Sequence, residues 1–219
     1  MAHDLAHLQT RMATLRLNHG QVAQVMDDTG LASGMVPSAR HAMIRKLRRS
    51  DVPFGKGEIV KESARDEVIY EFVHLAELGL AMKLLSDGIR FGHVIELVSR
   101  HRSVLRPFYK EALLEAESGR GTSIPLTMLD PTGTNPKSGE PDYPQAAGLY
   151  LDFRATQQNG VLLLSEPKLL DPKAAILHLT GLQDGLYPLP LVSLSQICTR
   201  IEKVASATLP VKRGPKPRN

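Results

Sequence analysis

Apolar residues recur at helical spacing through the first half of the chain. In LAHLQTRMATLRL they fall at Leu5, Leu8, Met12, Leu15 and Leu17, and in NHGQVAQVMDDTGL at Val22, Val25 and Met26, the period of amphipathic helices. Asn18 can cap the second of these and Gly30 can end it. After the break ASGMVPS, Pro37 followed by Ser38 is a helix entry, with Ser38 as a candidate N-cap. At about 100° per residue, Ala39, Ala42, Met43 and Leu47 of the next helix share one face. His41, Arg45, Arg48 and Arg49 fall on the other, and Arg40 and Lys46 flank. Pro53, Gly55 and Gly57 precede the strand-like EIVKE, which predicts a hairpin with Lys56 near its tip. Asp66 to Leu85 is the clearest helix of the chain, with Val68, Phe72, Leu75, Ala76, Leu78, Gly79, Met82 and Leu85 on a wide apolar face. A turn through Gly88 leads to HVIELVSRHRSVL and FYKEALLEAE, both helical, with Pro107 as a break or first-turn residue.

The pattern changes at about residue 118. From there to about 147 the chain is dense in Gly, Pro, Ser, Thr and Asn, residues that favour turns over regular structure. Alternation returns at Leu149, Leu151 and Phe153, then GVLLLSE, with Asn159-Gly160 between them as a hairpin signal. DPKAAILHLTGL predicts a helix capped by Asp171 with Pro172 at its first position. SLSQICTRIEKVA predicts another, with Leu194, Ile197, Ile201 and Val204 on one face. The expected fold is a mainly α N-terminal domain, 1–117, for which a resemblance given below implies a winged-helix-like form, and a small α+β C-terminal domain, 148–208. A linker, 118–147, joins them, and a basic tail, 209–219, follows.

Charge sharpens this picture. The 219 residues carry a formal net charge of +4. Ser38 to Lys61 alone holds Arg40, Arg45, Lys46, Arg48, Arg49, Lys56 and Lys61 against Asp51 and Glu58, a net of +5. The tail PVKRGPKPRN adds Lys212, Arg213, Lys216 and Arg218 with no acid, a net of +4, which leaves the remainder at −5. Segregation of this kind points to a polyanionic partner. With 42% hydrophobic residues a core is affordable. One cysteine, Cys198, excludes an internal disulfide and a multi-cysteine zinc site, and is read as a buried thiol. The absence of Trp argues against stacking platforms for single-stranded nucleic acid. None of the eight histidines forms an H-x-x-x-H or H-E-x-x-H pair. There is no G-x-S-x-G elbow, P-loop or dinucleotide fingerprint. No enzyme, metal or cofactor is expected. No apolar run approaches the roughly 18–20 residues of a membrane span, and the N-terminus lacks the plan of a signal peptide. The expected location is cytoplasmic and nucleoid-associated.

The order of short helix, turn, basic helix, hairpin, long apolar helix, glycine turn and amphipathic helix resembles the winged-helix DNA-binding domain of the MerR-type regulators, over about residues 18–105. QVAQVMDDTGL corresponds to the first helix of the two-helix unit, VPSARHAMIRKLRR to the second, VPFGKGEIVKE to the wing, and LAELGLAMKLLSDGIRFGHVIELV to the third and fourth helices. The resemblance implies that the second helix lies in the major groove. The charge pattern leads to the same expectation, because Arg can bond bidentately to guanine and also reach phosphates. Arg40, His41 and Arg45, nearer the helix start, are then placed for bases, with Arg48, Arg49 and Lys56 for the backbone. A helix start at Ser38 could also hold a phosphate. The tail KRGPKPR is similar to an AT-hook with its core order broken at Arg213-Gly214-Pro215, and such arms can follow a groove.

The expected function is that of a bacterial-type, sequence-specific transcription regulator on double-stranded DNA. A homodimer is expected because two half-sites supply the specificity one short reader lacks. The exposed strand edge or final helix of the C-terminal module could dimerise, contact a second regulator or contact RNA polymerase. Two rivals stand beside this: a nucleoid, partition or recombination accessory protein, and an anti-activator-like adaptor docking an acidic protein on the basic helix.

Overall fold

The computed structural model describes residues 10, 12–59, 68–118, 150–152, 155–158, 161–164, 167–171 and 192–208. The described chain is mainly helical. Helix α1 is His19–Asp28. Asn18 and Gln21 close a capping box at its start, satisfying two otherwise orphan N–H groups, and Gly30 follows its end at φ +65°, a left-handed conformation suited to glycine. Residues 12–14 are helical, but the chain leaves that turn before Leu17. Leu17 forms an isolated antiparallel bridge with Tyr70, with both N–H groups donating to the opposite carbonyl, at 3.0 and 2.8 Å.

Helix α2 is Pro37–Arg49. Its cap position is Val36, not Ser38, because Pro37 takes the first helical turn, where its missing N–H costs nothing. Its buried residues are Ile44 and Leu47, whereas Ala39 and Ala42 are exposed. The expected apolar face is therefore rotated: stabilisation scales with buried apolar area, so branched side chains turn inward before alanines do. Residues 51–59 form turns rather than a strand, and the second arm of the expected hairpin, 60–67, lies outside the described residues.

Helix α3, Phe72–Ser86, starts later than its apolar pattern suggests, since residues 68–71 are not helical and Glu71 forms a capping box with His74. It is buried on nearly every side, the mark of a central core helix. The turn through Gly88, at φ +87°, leads to α4, Phe91–Arg100, and α5, Arg102–Ser118. Pro107 lies inside α5 instead of breaking it. It is exposed, so the bond it removes falls on the solvent side of the helix, where water can take the freed carbonyl.

Strands β1 (Tyr150–Asp152), β2 (Ala155–Gln158), β3 (Val161–Leu164), β4 (Lys168–Leu170) and β5 (Val192–Ser193) precede α6, Leu194–Ala207. Of the expected strand through Phe153, β1 is described as far as Asp152, and residues 153–154 lie outside the described residues. β1 is the centre of an antiparallel sheet, order β4-β1-β5, and β2 pairs with β3 with Gln158 opposite Val161. Helix α6 packs against α5, α3 and α1, and its Leu194, Ile197, Cys198, Ile201 and Ala205 belong to the same buried cluster as α1 to α5. Helix α6, with Leu151 of β1 and Val192 of β5, thus shares a core with the N-terminal helices. The linker after Ser118, the helix expected after Asp171 and the basic tail lie outside the described residues.

Candidate nucleic-acid interface

Helix α2 is held in place from two sides. Ile44 and Leu47 anchor it in the core. On a flank, Asp27 at the end of α1 accepts from Arg40 Nε at 2.7 Å and pairs with His41 Nε2 at 2.8 Å. Arg40 Nη1 also donates to the Ala32 carbonyl at 3.4 Å. Burial alone would raise the Asp27 carboxyl, but the bonds and charges of His41 and Arg40 outweigh it and hold the pKa below the ordinary value. The Arg40 side chain is only 12% exposed. Arg40 and His41 therefore set the angle between the two helices, and Arg40 does not belong to the outward face.

That outward face is formed by Ser38, Ala39, Ala42, Arg45, Lys46 and Arg49, all exposed. Ser38, Ala42, Arg45 and Arg49 follow one another at spacings of four, three and four, a single row along a helix. Small side chains occupy its first half and cations its second, and α2 contains no acid. Lys46 Nζ sits 4.0 Å from the centre of the Phe91 ring, a cation–π contact that seats the start of α4 beside α2. Arg48 is half-buried. Its charge bears on Tyr70 and on His19, which meet at 3.3 Å. Burial first, then the charges of Arg48, Arg45 and His41, lower the His19 pKa and so favour its neutral form.

Lys56 is exposed in the turn after α2, next to Gly57 at φ +84°. The turn is tied down by an ionic network. Arg106 makes a bidentate pair with Glu58, at 2.6 and 2.7 Å, and reaches the Pro53 carbonyl at 3.3 Å. Arg102 donates to both oxygens of Glu77, at 2.7 and 2.9 Å to Oε1 and 3.2 Å to Oε2, and to the Asp51 carbonyl. Glu58 also accepts from the Gly55 N–H at 2.8 Å. The Arg106 bonds, against the opposing effect of burial, bring the Glu58 pKa down to about 2. Glu77 is fully buried, and burial pushes its carboxyl up while Arg102 and Arg106 oppose that shift.

Of the residues singled out from sequence, Ser38, Arg45, Lys46 and Arg49 come together on one face. Arg48 lies beside it and Lys56 on the following turn. Arg40 and His41 turn to Asp27, and Lys61, Lys212, Arg213, Lys216 and Arg218 lie outside the described residues. Asp27 lies in the last turn of α1, and sequence reasoning missed the Glu77 network altogether. The signals were present: a lone carboxylate in the apolar run LAELGLAM, and two arginines at i, i+4 in Arg102 and Arg106. Among the described residues no helix is long and apolar enough to cross a membrane, and no group of three His, Cys, Asp or Glu is placed to hold a metal. Comparisons with protein-family models, with curated proteins and with solved structures return no match.

Proposed function

We propose that the chain is a sequence-selective, double-stranded DNA-binding regulator whose α2 enters the major groove. The observation that carries this is the acid-free outward row of α2, Ser38, Ala42, Arg45 and Arg49 with Lys46, on a helix locked by Asp27 and by Ile44 and Leu47. Small residues at the helix start let its backbone approach base edges, and the cations behind them are placed for guanine or phosphate. The Leu17–Tyr70 bridge adds support. It ties the residue before the two-helix unit to the segment leading into α3.

The test is selection from a random duplex pool at about 50 and 200 mM salt, with the native chain and an Arg45→Ala/Arg49→Ala variant. Enrichment of a motif by the native chain, lost in the variant, is the expected result. Salt-sensitive binding without enrichment would indicate an architectural or accessory role. A second reading, docking of an acidic protein on the same face, draws on Val36, which is 65% exposed at the start of α2 and would give such a partner an apolar anchor. Failure to bind duplex at either salt would favour it.

A further inference from the structure

Helix α5 is the long helix that follows the proposed reading unit, and in an amphipathic helix of this length the apolar face needs a partner. Its Leu105, Tyr109, Ala112 and Leu113 are completely buried. The cover comes from the same chain. Helix α6 lays Ile197, Cys198 and Ile201, each 1% exposed or less, into the groove between α5 and α3. The seat is specific. Ser195, itself buried, donates through Oγ to the Ala112 carbonyl of α5 at 2.8 Å. On the α3 side, Gly79 leaves room for the Ile201 side chain where any Cβ would overlap it. A hydroxyl bonded to a helix carbonyl and a glycine under an isoleucine are features of a finished intramolecular interface.

We infer that the protein works as a single copy, with α6 standing where a second chain's helix would otherwise cover α5. The dimer expected from sequence followed from the arithmetic of DNA half-sites, with the final helix or a strand edge as its surface, and the apolar side of that helix is already spent on α5 and α3. A permanent homodimer buries about 2,000 Å² or more around an apolar centre. Among the described residues, the exposed large hydrophobics are Val36 and Ile69, and Val36 belongs to the face proposed for DNA. Resting on the DNA reading above, the consequence is that the duplex site is one undivided sequence without two-fold symmetry. One copy then binds it in one orientation.

The experiment is light scattering of the full chain at micromolar and at tens-of-micromolar concentration, alone and on the duplex enriched by selection. The expected result is the mass of one chain at both concentrations, one chain per duplex, and a non-palindromic motif. A stable dimer in solution, or two chains on an inverted repeat, would overturn the inference. If no duplex is bound, the DNA reading falls and the mass in solution alone decides: one chain upholds the single-copy inference, two chains end it.

Discussion

Gly79→Ala sets two effects of opposite sign against each other. In an exposed helix interior, replacing Gly with Ala stabilises by about 0.5–1 kcal/mol, because glycine loses more backbone freedom on folding. At this position a Cβ would overlap Cδ1 of Ile201 and stand 3.1 Å from Leu31 Cδ1 and 3.4 Å from Ile197 Cγ2. Ile201 is fully buried. Its terminal methyl can yield only by moving into packed neighbours or by lifting α6 from α3. Overpacking of this kind costs roughly 1–3 kcal/mol. The clash should win, with a net loss of about 1 kcal/mol. Urea unfolding followed by far-UV circular dichroism reads this as a lower midpoint at unchanged slope. Ile201→Val removes the offending Cδ1 and by itself costs about 0.5–1.5 kcal/mol. In the Gly79→Ala/Ile201→Val protein, the helix preference of alanine is realised without the clash. The double variant should therefore be more stable than the two single losses predict, by about 1 kcal/mol or more. A stabilised Gly79→Ala protein, or strict additivity in the cycle, would refute the reasoning that α6 is seated this closely on α3.

The ionic network and the α2 clamp give the remaining expectations. Glu77→Ala leaves Arg102 without its carboxylate, and since removing one partner of a buried pair typically costs 3–5 kcal/mol, a loss of about 3 kcal/mol is expected in urea unfolding. Glu58 has its pKa lowered from the ordinary carboxylate value to about 2. Its contribution is therefore fully present above the ordinary carboxylate range and is lost as pH falls towards 2; the Glu58→Gln protein should show a shallower decline in urea midpoint across that window. Arg49→Ala should lower the slope of log affinity against log salt by about one phosphate contact without loss of stability. Arg40→Ala should do the reverse, lowering the urea midpoint because it leaves Asp27 short of a partner while changing the salt slope little.

Helix positions were legible wherever local chemistry states them. Asn18 and Gln21 announce the start of α1, Gly30 and Gly88 mark left-handed turns, and the period of Leu194, Ile197 and Ile201 finds α6. The rotation of α2 was not legible. Its wheel carries weak apolar residues beside Leu47 on one side, and only the neighbouring helices decide that Ile44, rather than Ala39 and Ala42, joins Leu47 in the core. The start of α3 was also misjudged, because Val68 and Ile69 continue an apolar pattern while the backbone there is not helical and Tyr70 bonds to Leu17.

The candidate site divides along the same line. A dense run of cations on one short helix is a property of the chain, and so is the acidity of the remainder, since charge is carried by residue type alone. Which cations face outward is a property of packing. Arg40 is chemically equal to Arg45, yet Asp27, thirteen residues earlier, draws it inward while Arg45 stays in water. The pairing of Arg102 with Glu77 and of Arg106 with Glu58 joins residues 25 and 48 positions apart, and the cover of α5 by α6 joins residues more than eighty apart. Periodicity and capping act within a few residues and can be read in order along the chain. Contacts across such separations exist only once the helices have packed, because burial and bond geometry are set by the assembled core.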